Sequence, residues 1–167
     1  WGSDVYGSVD LNPGGSAANV AVWARRLGAR ARLIGRVGDD RLGLLMRAHL
    51  DAEGVGAGLI TSPGEPTTRI GIMVRPDGEH AFVTDHSRPL RLSAADLPES
   101  LLDEADAVFL CGYAVFMAGG AGFAAALLAE ARRRGIAVAF DPSSFSLVSR
   151  FGAARLLDEL GPLDVVL

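Results

Sequence analysis

The chain has 167 residues, close to the size of one domain, and its 49% hydrophobic and 22% charged residues describe a folded globular protein. All 16 basic residues are arginine, which excludes a P-loop lysine, a Schiff-base lysine and a protein-kinase strand lysine. Cys111 is the single cysteine, so no internal disulfide or multi-cysteine zinc site is possible, and a reducing, cytoplasmic setting is expected. The net charge of −4 argues against nucleic acid as a partner.

In chain order, Trp1-Gly-Ser-Asp lacks the basic start and apolar run of a signal peptide. Asp4 to Asp10 reads as an edge strand, and a helix begins near Gly15, carries Ala18, Val22, Ala24 and Leu27, and ends at Gly28. A strand over Ala31 to Val37 leads to Asp39 and Asp40, which supply N-cap chemistry for a helix ending near Gly54. Thr67 to Arg75 and Glu79 to Thr84 flank Pro76-Asp77-Gly78 as a β-hairpin. Ser93 caps a short helix running toward Asp103.

Alternation then resumes with a strand at 106–111, a helix at 121–134, a strand at 136–140, a helix at 150–160 and a strand at 164–167. Residues 107–129 are uncharged, but Gly112, Gly119, Gly120 and Gly122 divide them into strand, loop and helix, so no membrane span is read. The Arg132–Arg134 triplet reads as the solvated last turn of a helix. Strands alternating with helices imply an α/β fold: a parallel sheet with helices on both faces and ligand sites at the carboxyl ends of strands. The hairpin interrupts that pattern and is suited to act as a lid or a dimer surface.

The densest functional signal is Gly14-Gly15-Ser16-Ala17-Ala18-Asn19 before the first helix. Glycines at a helix start admit a ligand to the backbone, and the first-turn N–H groups can donate to hydroxyls or anions. Asn19, one turn on, shares the face of Gly15 and Ser16 and brings two donors and an acceptor. The same residues also suit a tight turn and helix cap with Asn19 facing solvent.

Gly28, Gly35 and Gly38-Asp39-Asp40-Arg41-Leu42-Gly43 extend this string, and the whole resembles the first signature of the ribokinase-like, or PfkB-type, carbohydrate kinases. Leu50-Asp51-Ala52-Glu53-Gly54-Val55, Pro66-Thr67, Ile70-Gly71-Ile72, Asp77-Gly78-Glu79 and Phe140-Asp141-Pro142 follow the same family pattern in order. The resemblance implies a ribokinase-like parallel-sheet core with a small antiparallel β lid, its lid segments at about 4–11 and 58–85 of a single domain spanning 1–167. It further implies a sugar or sugar-like alcohol bound by Gly14, Gly15, Ser16 and Asn19, and phosphoryl transfer from ATP with magnesium; Tyr113, just after a strand end, suits the lining of that pocket or a rim position with its hydroxyl in water. A homodimer through the lid is implied as well.

The sequence departs from the family in ways that bear on catalysis. The second signature, with the aspartate that serves as base, is expected in a C-terminal half beyond this chain; Gly119-Gly120-Ala121-Gly122-Phe123 resembles that loop superficially, but Phe123 stands where an aspartate is needed and the segment reads as a helix-start turn. No catalytic residue is therefore assigned, and the base is expected C-terminal to this chain. A first core strand is also expected before it, so the domain reads as cut at both ends. The competing expectation is a catalytically inactive sugar-binding or dimerisation fragment, and a nicotinamide-binding Rossmann domain is a third reading.

The remaining candidates are Arg88, Tyr113, Asp141 and the histidines. Arg88 stands where many family members have small residues and could face an acidic sugar. Tyr113 occupies a region where some relatives are acidic, which counts against a ribose-like substrate. Asp141 suits a turn with Pro142 or a site role equally. His49, His80 and His86 have no metal-ligand spacing, so no metal site is read. Gly54-Val55-Gly56-Ala57-Gly58 ends a helix rather than opening one, which argues against a dinucleotide fingerprint.

Overall fold

The computed structural model describes residues 6–85, 91–116 and 120–167. Helix α1 (Ser16–Arg26) ends where Gly28, at φ 94°, takes the left-handed conformation. There Ala29 N–H donates to the Ala24 carbonyl and Gly28 N–H to that of Arg25, which satisfies the last turn as a Schellman cap. Strand β1 (Arg32–Gly38), helix α2 (Arg41–Ala52) and strand β2 (Gly56–Ser62) follow as one βαβ unit, with β1 and β2 parallel in a register from Arg32↔Gly56 to Gly38↔Ser62.

Alternation along β1 sends Leu33 to the side where α1 and α2 close a small core of Ala18, Ala21, Val22, Leu50 and Val55. Ile34 points the other way, against the main core. Strands β3 (Ile70–Val74) and β4 (His80–Thr84) make the expected antiparallel hairpin, and Gly78 at φ 87° closes its turn.

The second half is a three-stranded parallel sheet in the order β5 (Ala107–Cys111), β6 (Ala137–Asp141), β7 (Val165–Val166). Val108, Leu110, Val138 and Phe140 project from it into the main core, where Phe123, Ala124, Leu127, Leu128 and Ala131 of α4 (Gly120–Arg134) meet them. Leu156 and Leu160 of α6 (Ala153–Leu160) complete that core. The uncharged run from 107 is thus a strand, the short helix α3 (Gly112–Phe116) and the start of α4, and no helix among the described residues is long and apolar enough to cross a membrane.

Several expectations are corrected. The described part of the 4–11 lid segment forms no strand: Tyr6 and Val9 are each 96% exposed and find no partner strand. Residues 58–62, expected in the lid, belong to β2 and pair with β1, so the antiparallel element begins at Ile70. The helix expected at 150–160 is two, α5 (Phe145–Phe151) and α6, divided by Gly152 at φ 93°. The segment after Ser93 forms two 3₁₀ turns, Ala94–Asp96 and Glu99–Leu102, opened by a Ser93–Asp96 capping box.

The Arg132–Arg134 triplet does end α4 but is not simply solvated. Arg132 donates to the Leu160 and Pro162 carbonyls, and Arg134 pairs with Glu130 and Asp103. Glu130 receives both Arg133 and Arg134, which hold its carboxyl down at about 2. Among the described strands β1 and β5 do not pair, so the parallel strands form two sheets rather than one. Arginines on β1 tie the first sheet to the segment that leads into β5: Arg36 to Asp96, and Arg32 to the carbonyls of Ser100 and Asp103.

Candidate functional site

The C-terminal ends of the parallel strands and the N-terminus of α1 share one end of the molecule. Two contacts fix this polarity. At the C-terminal end of α1, Arg26 pairs with Glu53 while the Arg25 guanidinium lies against Gly54, both at the far end of α2. An 11-residue helix extends about 16 Å at 1.5 Å per residue, so α1, running back from that contact, points its start toward the C-terminal end of β1.

At that start, Gly14 and Gly15 are exposed, and Gly15 adopts φ 108°, a conformation that other residues avoid. No neighbouring atom would touch a Cβ at either glycine, so the approach to the backbone is open. Asn19 N–H bonds the Gly15 carbonyl at 2.9 Å, which starts the helix. The N–H groups of Ser16, Ala17 and Ala18 have no acceptor among the described residues, and neither the Ser16 hydroxyl nor the Asn19 amide has a partner there. Ala18, facing inward, is buried; Asn19, facing out, is exposed. The structure therefore brings Gly14, Gly15, Ser16 and Asn19 together as one set of unspent donors.

Tyr113 follows the end of β5 and is 43% exposed, on α3 at the same end of the parallel strands. No hydrogen bond or ring contact among the described residues links it to α1. Asp141 ends β6 and is engaged in a turn: Ser143 N–H donates to its Oδ1 at 2.7 Å, and Ser143 holds φ 65°. The Ser143 hydroxyl also lies 3.4 Å from the Cys111 Sγ, which ties the ends of β5 and β6 together. Arg88, His86 and Gly119 lie outside the described residues. Phe123 is buried in the core, as its place in the apolar face of α4 requires.

The most elaborate polar cluster of this end is one that sequence reasoning understated. Asp40 caps α2 by accepting Gly43 N–H at 2.9 Å, as its position predicts. The same carboxylate accepts the Thr67 hydroxyl at 2.6 Å and the Thr67 N–H at 2.9 Å, while the Thr67 Oγ1 accepts Gly38 N–H at 3.0 Å. The Thr67 hydroxyl, followed by the backbone N–H groups of Gly43 and Thr67, lowers the Asp40 carboxyl to about 2. Asp39 accepts Gly64 N–H at 2.9 Å. Gly38 and Gly43 are needed because there is no space for side chains: a Cβ on Gly38 would collide with the Glu65 carbonyl, and one on Gly43 with that of Gly38. The signal was present in the Gly38-Asp39-Asp40…Gly43 spacing, but Thr67 lies 27 residues from Asp40 in sequence, beyond any local pattern.

Among the described residues no three His, Cys, Asp or Glu side chains gather as metal ligands.

Comparison with known proteins agrees with this architecture. Residues 5–160 match the family described as pfkB family carbohydrate kinase. Fructokinase-1 of Oryza sativa subsp. japonica is 37% identical over 103 residues, which is 60% of this chain and 32% of that protein. The bifunctional protein HldE of Pseudomonas savastanoi pv. phaseolicola is 34% identical over 165 residues, covering 95% of this chain and 33% of that protein. The solved structure of adenosine kinase from Sinorhizobium meliloti superposes with a TM-score of 0.81 at 27% identity, over 92% of this chain and 47% of that one. The chain thus spans a third to a half of the length of these relatives. With the parallel βαβ units, the separate hairpin and the glycine-rich start of α1 all in the matched order, the chain belongs to the PfkB family of carbohydrate kinases.

Proposed function

We propose that the intact protein transfers the γ-phosphoryl group of ATP to a hydroxyl of a sugar or sugar-like alcohol, and that this chain supplies the sugar-side half of the site. The observation that carries the reading is the set of unspent donors at the start of α1, three backbone N–H groups with the Ser16 hydroxyl and the Asn19 amide. Groups of this kind orient a polyhydroxylated ligand without charging it, and phosphoryl transfer depends chiefly on such positioning. The membership in a carbohydrate kinase family and the fructokinase relatives support a sugar as acceptor.

In this scheme Gly14 and Gly15 admit the sugar to the backbone, Ser16 and Asn19 bond its hydroxyls, and Tyr113 borders the pocket. The base that accepts the hydroxyl proton lies on a segment C-terminal to this chain. Magnesium supplies charge neutralisation on the phosphates when bound, and no cluster of three or more His, Cys, Asp or Glu side chains gathers for it among the described residues. The same reading makes the isolated chain inactive in phosphoryl transfer, and its single unpaired cysteine is compatible with the cytoplasm.

The test is sugar-dependent ATP turnover by the intact protein, with D-fructose and adenosine as first acceptors. Asn19→Ala is expected to raise KM for the accepted sugar about tenfold or more with little change in melting temperature, because Asn19 is exposed and unbonded. An unchanged KM would remove Asn19 from the site, and ATP turnover by the isolated 167-residue chain would overturn the division of roles.

A second reading, a dimer formed through the hairpin, is favoured by one observation. Ile70, Ile72, Val74 and Phe82 on one face and Met73 and Val83 on the other are all exposed, so the ribbon is apolar on both sides. One face can serve the ligand while the other serves a second copy.

A further inference from the structure

The loop from Pro63 to Arg69 joins β2 to the hairpin, and its path is determined by residues at the end of β1. Asp39 holds Gly64 N–H, Asp40 holds both the N–H and the hydroxyl of Thr67, and Gly38 N–H closes the ring on Thr67 Oγ1. The missing side chains of Gly38 and Gly43 let the loop backbone lie directly on the strand end and the first turn of α2. Among the described residues, the hairpin beyond this loop is exposed along all of β3 and through Val83 of β4. At its base, Asp85 N–H donates to the Arg69 carbonyl and their side chains pair at 3.1 Å, which keeps the two strands together as one rigid arm.

We infer that Asp40 and Thr67 are positioning residues, a latch that sets the angle at which the β3–β4 arm leaves the core and thereby its closure over a ligand at the start of α1. The Thr67 hydroxyl is the central element, since it donates to the carboxylate that caps α2 and accepts from the last N–H of β1. Movement of the arm is therefore coupled to the first turn of α2 and to the end of β1, toward which the start of α1 points. The functional half of this inference rests on the sugar reading proposed above; the mechanical half does not.

The experiment uses the intact protein and three forms of it: wild type, Thr67→Val, which keeps the shape and loses the hydroxyl, and Thr67→Ser, which restores it. Hydrogen exchange is followed over residues 63–69 and 70–84, with and without D-fructose, alongside steady-state kinetics. The expected result is about tenfold faster exchange of the Gly64 and Thr67 amides in Thr67→Val. KM for the sugar rises about tenfold with kcat within about twofold, and Thr67→Ser returns both toward wild type.

In wild type the sugar slows exchange across 70–84, and in Thr67→Val that slowing is lost. Unchanged exchange over 63–69 in Thr67→Val overturns the latch. Faster exchange there with wild-type KM and intact sugar-induced slowing overturns its role in ligand closure. If wild-type protein neither phosphorylates nor is protected by any sugar tried, the substrate reading fails while the 63–69 amides still decide the latch. Should Thr67→Val not fold, Asp39→Ala, which removes only the exposed bond to Gly64, is expected to speed exchange over 63–69 about threefold, and no change in it would overturn the latch.

Discussion

Arg36 on β1 and Asp96 in the first 3₁₀ turn form an ion pair of 2.5 Å, with side chains only 22% and 15% exposed, across 60 residues of sequence. The same guanidinium donates to Ser62 Oγ at the end of β2, and the same carboxylate accepts the Ser93 N–H and hydroxyl. One contact therefore binds the β1–β2 sheet to the segment leading into β5. The Arg36 guanidinium, with help from Ser93, holds the Asp96 carboxyl below the ordinary carboxylate value.

Asp96→Ala should cost about 1–3 kcal/mol, because it leaves a half-buried guanidinium short of its partner. Since the folded carboxyl titrates lower than the unfolded one, its contribution is complete above the ordinary carboxylate pKa of about 3.9 and is lost as pH falls through the lowered folded value. Melting curves of wild type and Asp96→Asn between pH 7 and about 2 should therefore converge only below about pH 4. Convergence at neutral pH would show that the pair contributes nothing.

Two glycines should respond in opposite directions to alanine. Gly38→Ala drives a methyl group into the Glu65 carbonyl and Thr67 backbone, so a loss of about 1–3 kcal/mol is expected, with faster proteolysis in 63–69. Gly122→Ala meets open space on the exposed side of α4 and should raise stability by about 0.5 kcal/mol through helix propensity. Thermal unfolding of both variants checks the pair.

Phe140 is completely buried at the centre of β6, among Leu110, Leu128 and Val138. Phe140→Ala is expected to cost about 3–5 kcal/mol, a large fraction of the stability of an ordinary domain. Denaturant titration at constant slope would register it as a lower midpoint.

Ile70 and Ile72 are half-exposed on one face of the hairpin and contribute little to folding. If that face joins two copies, Ile70→Glu with Ile72→Glu should convert a dimer to a monomer by analytical ultracentrifugation while circular dichroism stays unchanged. A mass that does not respond to the substitutions would exclude the hairpin as the dimer surface.

What the sequence disclosed followed from local chemistry. Gly28 as a helix end, Asp40 and Ser93 as caps, the Pro76–Gly78 turn and the apolar face of α4 each depend on residues within one or two turns, and each is found in place. Strand β2 was hidden because Gly56-Ala57-Gly58 has almost no β propensity; its pairing with β1 comes from the βαβ crossover rather than from its own residues. The site divides in the same way. The Gly14–Asn19 donors are legible as a helix start, whereas the hold of Asp40 on Thr67 and the hold of Asp39 on Gly64 are tertiary contacts that no spacing encodes.

The two parallel sheets are linked, among the described residues, by the packing of α1 against β5, by Ile34 and by arginine bonds to the segment before β5 rather than by a backbone ladder. Each also has its own apolar cluster. Cooperativity in folding depends on how much free energy crosses such a joint, and side-chain bonds to carbonyls and one carboxylate transmit less than a row of strand pairs. For the 167-residue chain, salt and low pH should therefore uncouple the α1–β1–α2–β2 unit from the α4-centred unit before either melts. Calorimetry would register this as two overlapping transitions, with a van't Hoff enthalpy below the calorimetric one.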